Sequence, residues 1–342
     1  MDFYRELKEI CQINAVSGRE EPVREYLIHR LPEGTQYGVD PLGNLYVHKK
    51  GIQKGEKKVM IAAHMDEVGF IITSITEDGY LKFATLGGID PAVAAGRVVT
   101  LESGICGVIG AKPVHLTSKE ERKKSLNMDS FTIDIGAKSK EEAEEKVALG
   151  DYACFNSTWR EFGENRLKMK ALDNRMGCIM MLQLIEEELP YDTHFVFTVQ
   201  EEVGSVGAEA AAFNVKPDIA IVLETTTAGD IAGTEGPEKT CCLGQGPVIS
   251  YMDKGTVYDN MLYVNTRKLA EERNIPWQTK TKIAGGNDSA AIQRSAGGAR
   301  VLAISVPTRY LHSPSCVVDK RDVDLTLELS RELLKELATG KF

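Results

Sequence analysis

The sequence predicts an α/β protein whose main domain is built from both ends of the chain, with a β-rich domain inserted between them. Three observations predict this. Continuous apolar runs at Val59–Ala63 and Val68–Ile72 are typical of a sheet covered on both faces. From about residue 70 to 165, short strand-like runs alternate with glycine and charged residues. Alternating strands and helices then resume, so we predict domains at 1–69 with 166–342 and at 70–165.

The N-terminal residues predict two helices and a short strand. Apolar positions recur at helical spacing within residues 2–12. Ser17–Glu20 (SGRE) has the spacing of a capping box, in which a serine side chain caps the helix that follows. The turn-forming residues Asp40–Gly43 precede a strand at Asn44–His48. The main domain therefore begins with helices and then contributes its first strands.

The middle of the chain predicts short strands separated by turns. Turn signals recur at short intervals through FIITSITEDGYLKFATLGG, GRVVTLESGICGVIGAK, FTIDIGA and GDYACF. Residues 118–127 (SKEERKKSLN) are strongly charged, and we expect them to be exposed. Residues 139–150 predict a short helix. This region of about 95 residues is within the usual size of a domain.

The C-terminal half predicts alternating strands and helices. The expected helices are Met176–Leu189, Gly207–Phe213, Asn260–Asn274 and Val323–Leu337. The expected strands are His194–Gln200, Asp218–Leu223 and Arg300–Val306. In the last helix, leucines recur every four residues from Leu325, which puts them on one face that can pack against the sheet.

Composition and charge narrow the range of partners. The chain has 342 residues and a formal net charge of −9, which argues against nucleic acid or an anionic membrane as the main partner. No apolar run approaches the roughly 20 residues that span a bilayer, and the first residues lack the apolar run of a signal peptide. Seven cysteines without repeating spacing or a C-x-x-C pair favour reduced thiols. We therefore expect a cytoplasmic protein.

The strongest chemical signal is the pair Glu201–Glu202. These acidic residues follow the apolar strand Phe195–Gln200 and precede a glycine-rich turn. Adjacent carboxylates repel each other at a strand end. They make sense if a divalent cation neutralises one of them and the other acts on a nearby water.

Other candidate ligands stand at strand ends and in loops. His64 and Asp66 follow a predicted strand, Glu224 ends another, Asp173 precedes a helix, and His312 lies in a loop. Each also has a simpler interpretation when taken alone: a strand-end histidine, an N-capping aspartate, a solvated edge acid or a loop histidine. Their joint occurrence indicates a common site, because open α/β sheets form their sites at the carboxyl ends of the strands.

Two histidines and several carboxylates are the ligand set of a two-metal hydrolase. A shared carboxylate can bridge two ions about 3.5–4 Å apart. Zinc suits mixed histidine and carboxylate ligands, and cobalt or manganese could replace it. The sequence therefore predicts two divalent metal ions per subunit.

Eight short strings carry a resemblance to a known family. They are AVSGRE, AAHMDEVGF, GGIDP, ALDNRMG, VQEEVGSVGA, AGDIAG, GGNDSAAI and RYLHSP, and they run from residue 15 to residue 314. The sequence resembles the glutamyl and deblocking aminopeptidases, a family of cytosolic dinuclear metallopeptidases. The resemblance implies a discontinuous zinc-peptidase-like catalytic domain with a mixed sheet and flanking helices. It also implies an inserted β-rich dimerisation domain and a homo-oligomer, a tetrahedral dodecamer built from dimers.

The resemblance also implies a metal-binding role for five residues. One metal ion would be held by His64 and Glu224. The other would be held by Glu202 and His312, and Asp173 would bridge both ions. We expect the substrates to be short peptides.

Two further roles and one departure follow from the same resemblance. Glu201 would be the general base, and Asp66 would orient the imidazole of His64 from the second ligand shell. Where the family most often has aspartate, this chain has Glu224. The extra methylene moves the carboxylate outward by about 1.5 Å, the length of one C–C bond.

The predicted function is metal-dependent removal of N-terminal residues from short peptides. One alternative is a deacylase or carboxypeptidase of the same class, which would need a basic group near the metal ions; another is a non-catalytic scaffold. GGNDSAAI, residues 285–292, either lets the backbone approach the substrate or starts a helix capped by Asn287 or Asp288. Arg309 could meet an acidic substrate side chain, although a loop arginine is more often a surface charge.

Overall fold

The computed structural model describes residues 2–118, 125–337 and 342, so residues 119–124 of the charged segment predicted to be exposed lie outside it. The helices in these ranges are α1 Phe3–Gln12, α2 Glu21–Arg30, α3 Pro91–Ala94, α4 Lys140–Glu144, α5 Leu172–Glu186, α6 Val206–Val215, α7 Asn260–Glu272, α8 Ser289–Arg294 and α9 Lys320–Leu337. The strands are β1 Tyr37–Val39, β2 Leu45–Lys49, β3 Val59–His64, β4 Gly69–Ile75, β5 Leu81–Leu86, β6 Val98–Leu101, β7 Cys106–Gly110, β8 Thr132–Asp134, β9 Tyr152–Phe155, β10 Arg160–Phe162, β11 Arg166–Met169, β12 Thr193–Thr198, β13 Ile219–Thr227, β14 Val248–Ile249, β15 Arg300–Thr308 and β16 Cys316–Asp319.

One mixed sheet forms the centre of the molecule, with the strand order β1-β2-β12-β3-β13-β15-β14. The central strands β12, β3, β13 and β15 are parallel, and β2 and β14 join them antiparallel. Successive side chains of a strand point to opposite faces, so the burial of every residue in β3 means that both faces are covered. The mixed sheet with flanking helices is therefore confirmed.

Helix α5 is the main support of this sheet on one side. It contacts β3 and β13 and also packs against α1 and α9. Every residue from Met176 to Leu182 is buried, which explains why this part of the helix has no polar side chain on any face. None of the helices in the described ranges combines the length and the apolar character needed to cross a lipid bilayer.

A second sheet closes into a barrel, in the order β4-β5-β8-β7-β6-β9. Its interior is filled by an apolar cluster separate from the core of the mixed sheet. Within this cluster Phe70 packs edge to face against Phe155, with ring centroids 5.2 Å apart. The second predicted apolar run, Val68–Ile72, supplies strand β4 of this barrel and is not part of the mixed sheet.

A small antiparallel sheet, β10-β11-β16, anchors one end of the loop that carries His312. Strand β16 follows this loop and leads directly into α9. Strand β10 falls in the range predicted for the inserted domain, but it pairs with β11 and not with the barrel.

The predicted capping box at Ser17–Glu20 is wrong. Helix α2 begins at Glu21, and no side chain caps it. Gly18 has a φ of +80°, so the preceding residues form a turn and cannot enter the helix. Ser17 Oγ instead donates to Asp66 Oδ2 at 2.6 Å. The SGRE string therefore contributes to the site and not to a helix start.

Candidate active site

The candidate site lies where the parallel strands of the mixed sheet end. His64 is the last residue of β3 and is in register with Thr198 of β12. Glu224 lies two residues beyond Val222 of β13, which pairs with Ala62, so Glu224 is level with His64. Parallel strands end at the same edge of a sheet, and this brings the two side chains together.

We call His64, Asp173 and Glu224 the inner group. His64 Nε2 lies 3.4 Å from Asp173 Oδ1 and 3.6 Å from Glu224 Oε1. The side chain of His64 is only 2% exposed. Glu224 Oε2 is buried and has no hydrogen-bond donor among the described residues. A buried carboxylate oxygen without a donor is unfavourable unless a cation neutralises it.

We call Asp173, Glu202 and His312 the outer group. His312 Nε2 lies 3.5 Å from Asp173 Oδ2 and 3.4 Å from Glu202 Oε2. The two carboxylate oxygens of Asp173 therefore face two different histidines. The outer group is more open, because the side chain of His312 is 34% exposed.

Both groups have the dimensions of a metal site. Within each, the potential ligand atoms lie within 4.8 Å of one another. Two ligands about 2.1 Å from one tetrahedral ion are about 3.4 Å apart. The four histidine–carboxylate distances are 3.4 to 3.6 Å. Imidazole nitrogens and carboxylate oxygens are also the ligands that zinc and similar divalent ions accept, so these residues fit such ions.

Asp66 contacts both His64 and the turn that carries Glu201 and Glu202. Its Oδ1 lies 3.4 Å from His64 Nδ1, and its backbone oxygen lies 3.1 Å from the same nitrogen. The carboxylate also accepts the backbone N–H groups of Glu201 at 3.0 Å and Glu202 at 3.1 Å. Contacts of this kind fix the orientation of a ligand histidine and of the neighbouring turn.

Burial and mutual repulsion shift the pKa values of the acidic side chains. Burial is the largest cause for Glu202, whose pKa is raised to about 8, and for Glu224, whose pKa is raised to about 7. Burial alone would lower the pKa of His312, but Asp173 and Glu202 outweigh it and raise this pKa to about 9. Burial would raise the pKa of Asp173, yet contacts with both histidines hold it well below its usual value. The site thus holds more carboxylates than histidines, and bound cations would neutralise this excess of negative charge.

Glu201 lies between the two groups. Its carboxylate, His64 and Glu202 each offer an atom within 4.8 Å of the others. Burial, reinforced by repulsion from Asp288, Glu202 and Glu224, raises the pKa of Glu201 well above its ordinary range. Glu201 also lines the cleft, so its carboxylate can reach a bound molecule.

Unusual backbone conformations aim these side chains into the cleft. Gln200 has a φ of +56°, and the turn that it begins carries Glu201 and Glu202. His312 also has a φ of +56°. Such conformations in non-glycine residues are costly and cluster at functional sites. His312 Nδ1 lies 2.7 Å from the carbonyl oxygen of Gly88, so it can donate there and leave Nε2 free for a metal ion.

Comparison with known proteins identifies the family. Residues 43–329 match the profile described as M42 glutamyl aminopeptidase. The chain belongs to the M42 glutamyl aminopeptidase family. It is therefore a hydrolase, an aminopeptidase of this family, and the family implies divalent metal ions.

Similar proteins cover nearly the whole length of this M42 chain. A putative aminopeptidase from Acetivibrio thermocellus is 40% identical over 97% of this chain and 98% of its own. The lysyl aminopeptidase of Pyrococcus furiosus is 33% identical over 98% of each chain. The TET1 peptidase of Pyrococcus horikoshii, which can assemble into a tetrahedron or a large octahedral shell, has a TM-score of 0.85 and 35% identity, over 98% of this chain and 100% of its own. The agreement thus extends to the fold.

The structure brings together the seven residues that the sequence predicted as metal ligands, general base and orienting acid. The residues at this one site are His64, Asp66, Asp173, Glu201, Glu202, Glu224 and His312. The Asp173 side chain does not cap the helix: Asn174 Oδ1 accepts the Gly177 N–H at 3.2 Å, while the two carboxylate oxygens of Asp173 face His64 and His312. The roles of the seven residues stay a prediction.

Asp288 is a buried acid of the M42 site that the sequence interpretation did not recognise. Its Oδ2 accepts a hydrogen bond of 2.6 Å from Thr198 Oγ1, and its Oδ1 is buried without a partner in the described ranges. Capping at the start of α8 is done by Asn287, whose Oδ1 accepts the Ser289 N–H at 2.9 Å. The GGNDSAAI string contained the signal, but an Asp before a helix reads first as a cap.

Arg309 is not available to a substrate, whereas the side chain of Lys280 lines the cleft. Arg309 forms a bidentate ion pair with Asp230, at 2.8 and 2.7 Å, so its proposed contact with an acidic substrate is wrong. Lys280, which the sequence interpretation passed over, lines the M42 cleft. The cleft has a volume of about 710 Å³ and is large enough for a few residues of a peptide.

Proposed function

We propose that this M42 aminopeptidase uses two divalent metal ions and a glutamate base to remove N-terminal residues from short peptides. The inner and outer groups would each hold one ion, with Asp173 as the bridge. The observation that carries this proposal is that the two oxygens of Asp173 face His64 and His312 at 3.4 and 3.5 Å. Zinc is the preferred candidate, with cobalt and manganese as alternatives.

When bound, such ions polarise a carbonyl and lower the pKa of an associated water toward neutrality. Glu201 accepts the proton of the attacking water and then delivers a proton to the leaving amine. Its raised pKa suits both steps, because a base that works near neutral pH must also release its proton. Asp66 holds His64 and the Glu201 turn in a fixed orientation.

Selection of an N-terminus follows from the charge of the cleft. The free α-amine of a peptide is positively charged below its pKa of about 8. The carboxylates that line the cleft would attract that amine, and a blocked amine would lose the attraction. Exopeptidase action therefore needs a free N-terminus.

Hydrolysis of aminoacyl p-nitroanilides and short peptides tests the proposed function. The enzyme would be stripped of metal and then supplied with zinc, cobalt or manganese. We expect stepwise release of N-terminal residues that returns with metal, and no release from the matched N-acetylated peptides. Equal cleavage of the acetylated peptides, or full activity after complete metal removal, would contradict the proposal.

We further propose that the chain assembles into a dodecamer built from dimers. Six dimers along the six edges of a tetrahedron contain twelve subunits, and the P. horikoshii relative can form a tetrahedron. Twelve chains of 37.6 kDa would give a particle of about 450 kDa in multi-angle light scattering. A monomer mass at micromolar concentration would rule this out.

We also propose the domain division 1–69 with 166–342 and 70–165, with the inserted domain in the dimer contact. The separate core of the barrel supports it. Chains with surface charges introduced on the barrel should dissociate in the same light-scattering assay. A cytoplasmic location is a further proposal, consistent with seven cysteines of which none forms a disulfide. Fractionation of cells that produce the protein would test it.

A further inference from the structure

A second cavity, separate from the cleft, lies where the barrel meets the rest of the chain. We call it the junction groove. Its walls are residues 96–98 before and in β6, residues 156–158 after β9, Lys168 of β11 and residues 314–315. The groove has a volume of about 420 Å³, within the usual range of small-molecule sites. None of the described residues that line it also lines the cleft, so it is a site of its own.

Three cationic side chains meet at the junction groove. Arg97 and Lys168 line it, and Arg160 is directly opposite Lys168 in the antiparallel pair β10 and β11. Like charges that face each other across two strands destabilise the pair. Burial is the largest cause of the lowered pKa of Lys168, and Arg160 and Arg97 lower it further against an opposing effect of Cys316. Both arginines are therefore close enough to repel the Lys168 ammonium.

These three cations form no ion pair with a described carboxylate. No aspartate or glutamate is among the described residues that line the groove. The cations donate to uncharged oxygens: Ser157 Oγ at 3.0 Å for Lys168, Val93 O at 3.0 Å for Arg97 and Trp159 O at 3.4 Å for Arg160. The neighbouring acid Glu161 instead accepts from Lys320 Nζ at 2.7 Å. The chain carries a net charge of −9, yet this groove collects positive charge, which a bound anion would neutralise.

The side chains of the junction groove suit a phosphate group. An arginine offers a fork of N–H donors that matches phosphate oxygens, and a lysine adds a compact positive charge. A phosphate group carries a charge of about −1.5 to −2 at pH 7, so one group can neutralise more than one cation, which a single carboxylate cannot. Asn156 and Thr158 also line the groove, and their side chains can donate to further oxygens.

The junction groove is also connected to the loop that carries His312. Ser157 Oγ accepts from Lys168 Nζ and donates to the carbonyl oxygen of Pro314 at 2.6 Å. Pro314 lies two residues after His312, and Ser315 is itself part of the groove wall. An anion held by Lys168 would therefore restrain the end of this loop where it enters β16.

We propose that the junction groove is a phosphate-binding site in which Arg97, Arg160 and Lys168 hold one phosphate group, and that its occupant restrains the loop after His312. The phosphate comes either from inorganic phosphate or from a small phosphorylated molecule, since both present the same group. The inference does not rest on the proposed function, because none of the three cations belongs to the inner or outer group.

Isothermal titration of the metal-loaded enzyme with inorganic phosphate tests the site. We expect binding at the groove with a Kd below about 1 mM. In Lys168→Met and in Arg160→Gln the affinity should fall by about tenfold to a hundredfold, the range for a hydrogen bond to a charged group. Arg160 is exposed, so its variant keeps the test valid if Lys168→Met folds poorly.

Lys82→Met is the matched control. Lys82 lies on β5 of the barrel and, like Lys168, donates to uncharged oxygens, here two backbone carbonyls at 3.1 and 3.3 Å, but it is not part of the groove. Its loss should leave phosphate affinity unchanged. Phosphate bound to metal ions would persist in Lys168→Met and disappear on metal removal, whereas phosphate in the groove should do the reverse. If all binding follows the metal, or if both groove variants bind as the wild type does, the inference is wrong.

Further ligands distinguish the sources of the phosphate group. Tighter binding of glycerol 3-phosphate than of inorganic phosphate, with no binding of glycerol, supports a phosphorylated small molecule as the occupant. The reverse order supports inorganic phosphate. Acetate that binds as tightly as phosphate would overturn the assignment, because the groove would then accept any anion.

Hydrogen–deuterium exchange tests the restraint of the loop. Backbone exchange in residues 313–319 should slow when phosphate is added to the wild-type enzyme, and it should slow less in Lys168→Met. Phosphate at the metal groups would slow exchange equally in both proteins, so the difference between them reports on the groove. Equal exchange with and without phosphate in the wild-type enzyme would contradict the proposed restraint.

Discussion

The inner and outer groups share Asp173 but are built in different ways. The inner group stands on adjacent strands of one sheet, and its histidine is 2% exposed. The outer group takes His312 from a loop with a left-handed backbone and is 34% exposed at that histidine. His64 Nδ1 is oriented by Asp66 within the mixed-sheet part, whereas His312 Nδ1 donates to Gly88, which follows strand β5 of the barrel.

This difference indicates that the two proposed ions depend on different parts of the molecule. A ligand fixed at a strand end needs only the mixed sheet to be folded. The outer ligand also needs the barrel to be in position, because Gly88 precedes α3 in the segment between β5 and β6. We therefore expect the outer ion to exchange more readily and to respond to changes in the barrel, while the inner ion does not.

The largest effect should come from Glu201→Gln. This variant tests whether Glu201 is the general base or a metal ligand that belongs to a third group beside the inner and outer groups. Removal of a general base costs about 10²–10⁴-fold in rate. We expect kcat to fall by at least that range while metal content, measured by plasma mass spectrometry after dialysis, stays at the wild-type value. The exposed substitution Glu209→Gln on α6 is the control. Loss of metal together with activity would mean that Glu201 is a ligand and that the site has a third group.

The next largest effect should come from comparing His64→Ala with His312→Ala. Both variants should be nearly inactive, because each lacks a ligand of one proposed ion. They should differ in metal content: His312→Ala should keep about one ion per chain, held by the inner group, since two-metal sites bind separable ions. His64→Ala should lose the inner ion and bind the outer one weakly, because the bridge through Asp173 loses its fixed partner. Equal metal loss in both variants would contradict our expectation that the inner ion is held more firmly than the outer ion.

These two groups also show how far the sequence alone can lead. His64 and Glu224 could be predicted to meet because parallel strands end at one edge, which is a property of the backbone. The place of Asp173 in the site was harder to predict, because an aspartate before a helix usually caps that helix. Lys280 and Asp288 could not be recognised, because they belong to an irregular segment whose path depends on long-range contacts. Ser17 was misassigned for the same reason: its partner, Asp66, is distant in sequence.

A smaller effect should distinguish alanine substitutions at Gly87 and Gly88, two adjacent glycines in the segment between β5 and β6. A Cβ added at Gly87 would lie 2.7 Å from Val68 Cγ1 and 3.1 Å from Glu202 Oε2, and the φ of +83° strains any side chain there. A Cβ at Gly88 would lie 3.6 Å from His312 Nδ1, an ordinary contact. Gly87→Ala should therefore displace Glu202 and lower kcat/KM by about tenfold to a hundredfold through the outer ion, as outer-shell changes do.

Gly88→Ala should stay within about twofold of the wild-type kcat/KM, because its added methyl makes an ordinary contact. Metal titration followed by activity would show whether added zinc restores Gly87→Ala. Restoration by excess metal supports an effect on the outer ion. If Gly88→Ala is impaired as much as Gly87→Ala, the loss has another origin, and the proposed link between the barrel and the outer group is not supported.

The smallest effect should be a pH-dependent loss of stability in the metal-stripped enzyme. The folded-state pKa values of Glu202 and Glu224 are raised to about 8 and about 7, above an unfolded value near 4.5. The pKa of His312 is raised to about 9, above its unfolded value of 6.5. In each case the folded state binds more protons than the unfolded state across the interval, so the free energy of unfolding falls as pH rises. Asp173 acts in the opposite direction only below its ordinary pKa of 3.8, outside this window.

The melting temperature of the stripped enzyme should therefore decrease from pH 5 to pH 9, measured by differential scanning fluorimetry. Metal-loaded enzyme should lack this decrease and should gain stability from pH 5 to about 6.5, because bound cations hold the glutamates ionised and His312 neutral, so the folded state binds fewer protons than the unfolded state. Glu202→Gln removes the titration of the outer glutamate and Glu224→Gln that of the inner one, so the two variants divide the effect between the groups. Since the pKa of Glu202 is shifted further, its variant should flatten the curve more. A melting temperature that rises toward pH 9 in the stripped enzyme would mean that the acidic side chains are not held in the close, buried arrangement from which both ion sites are inferred.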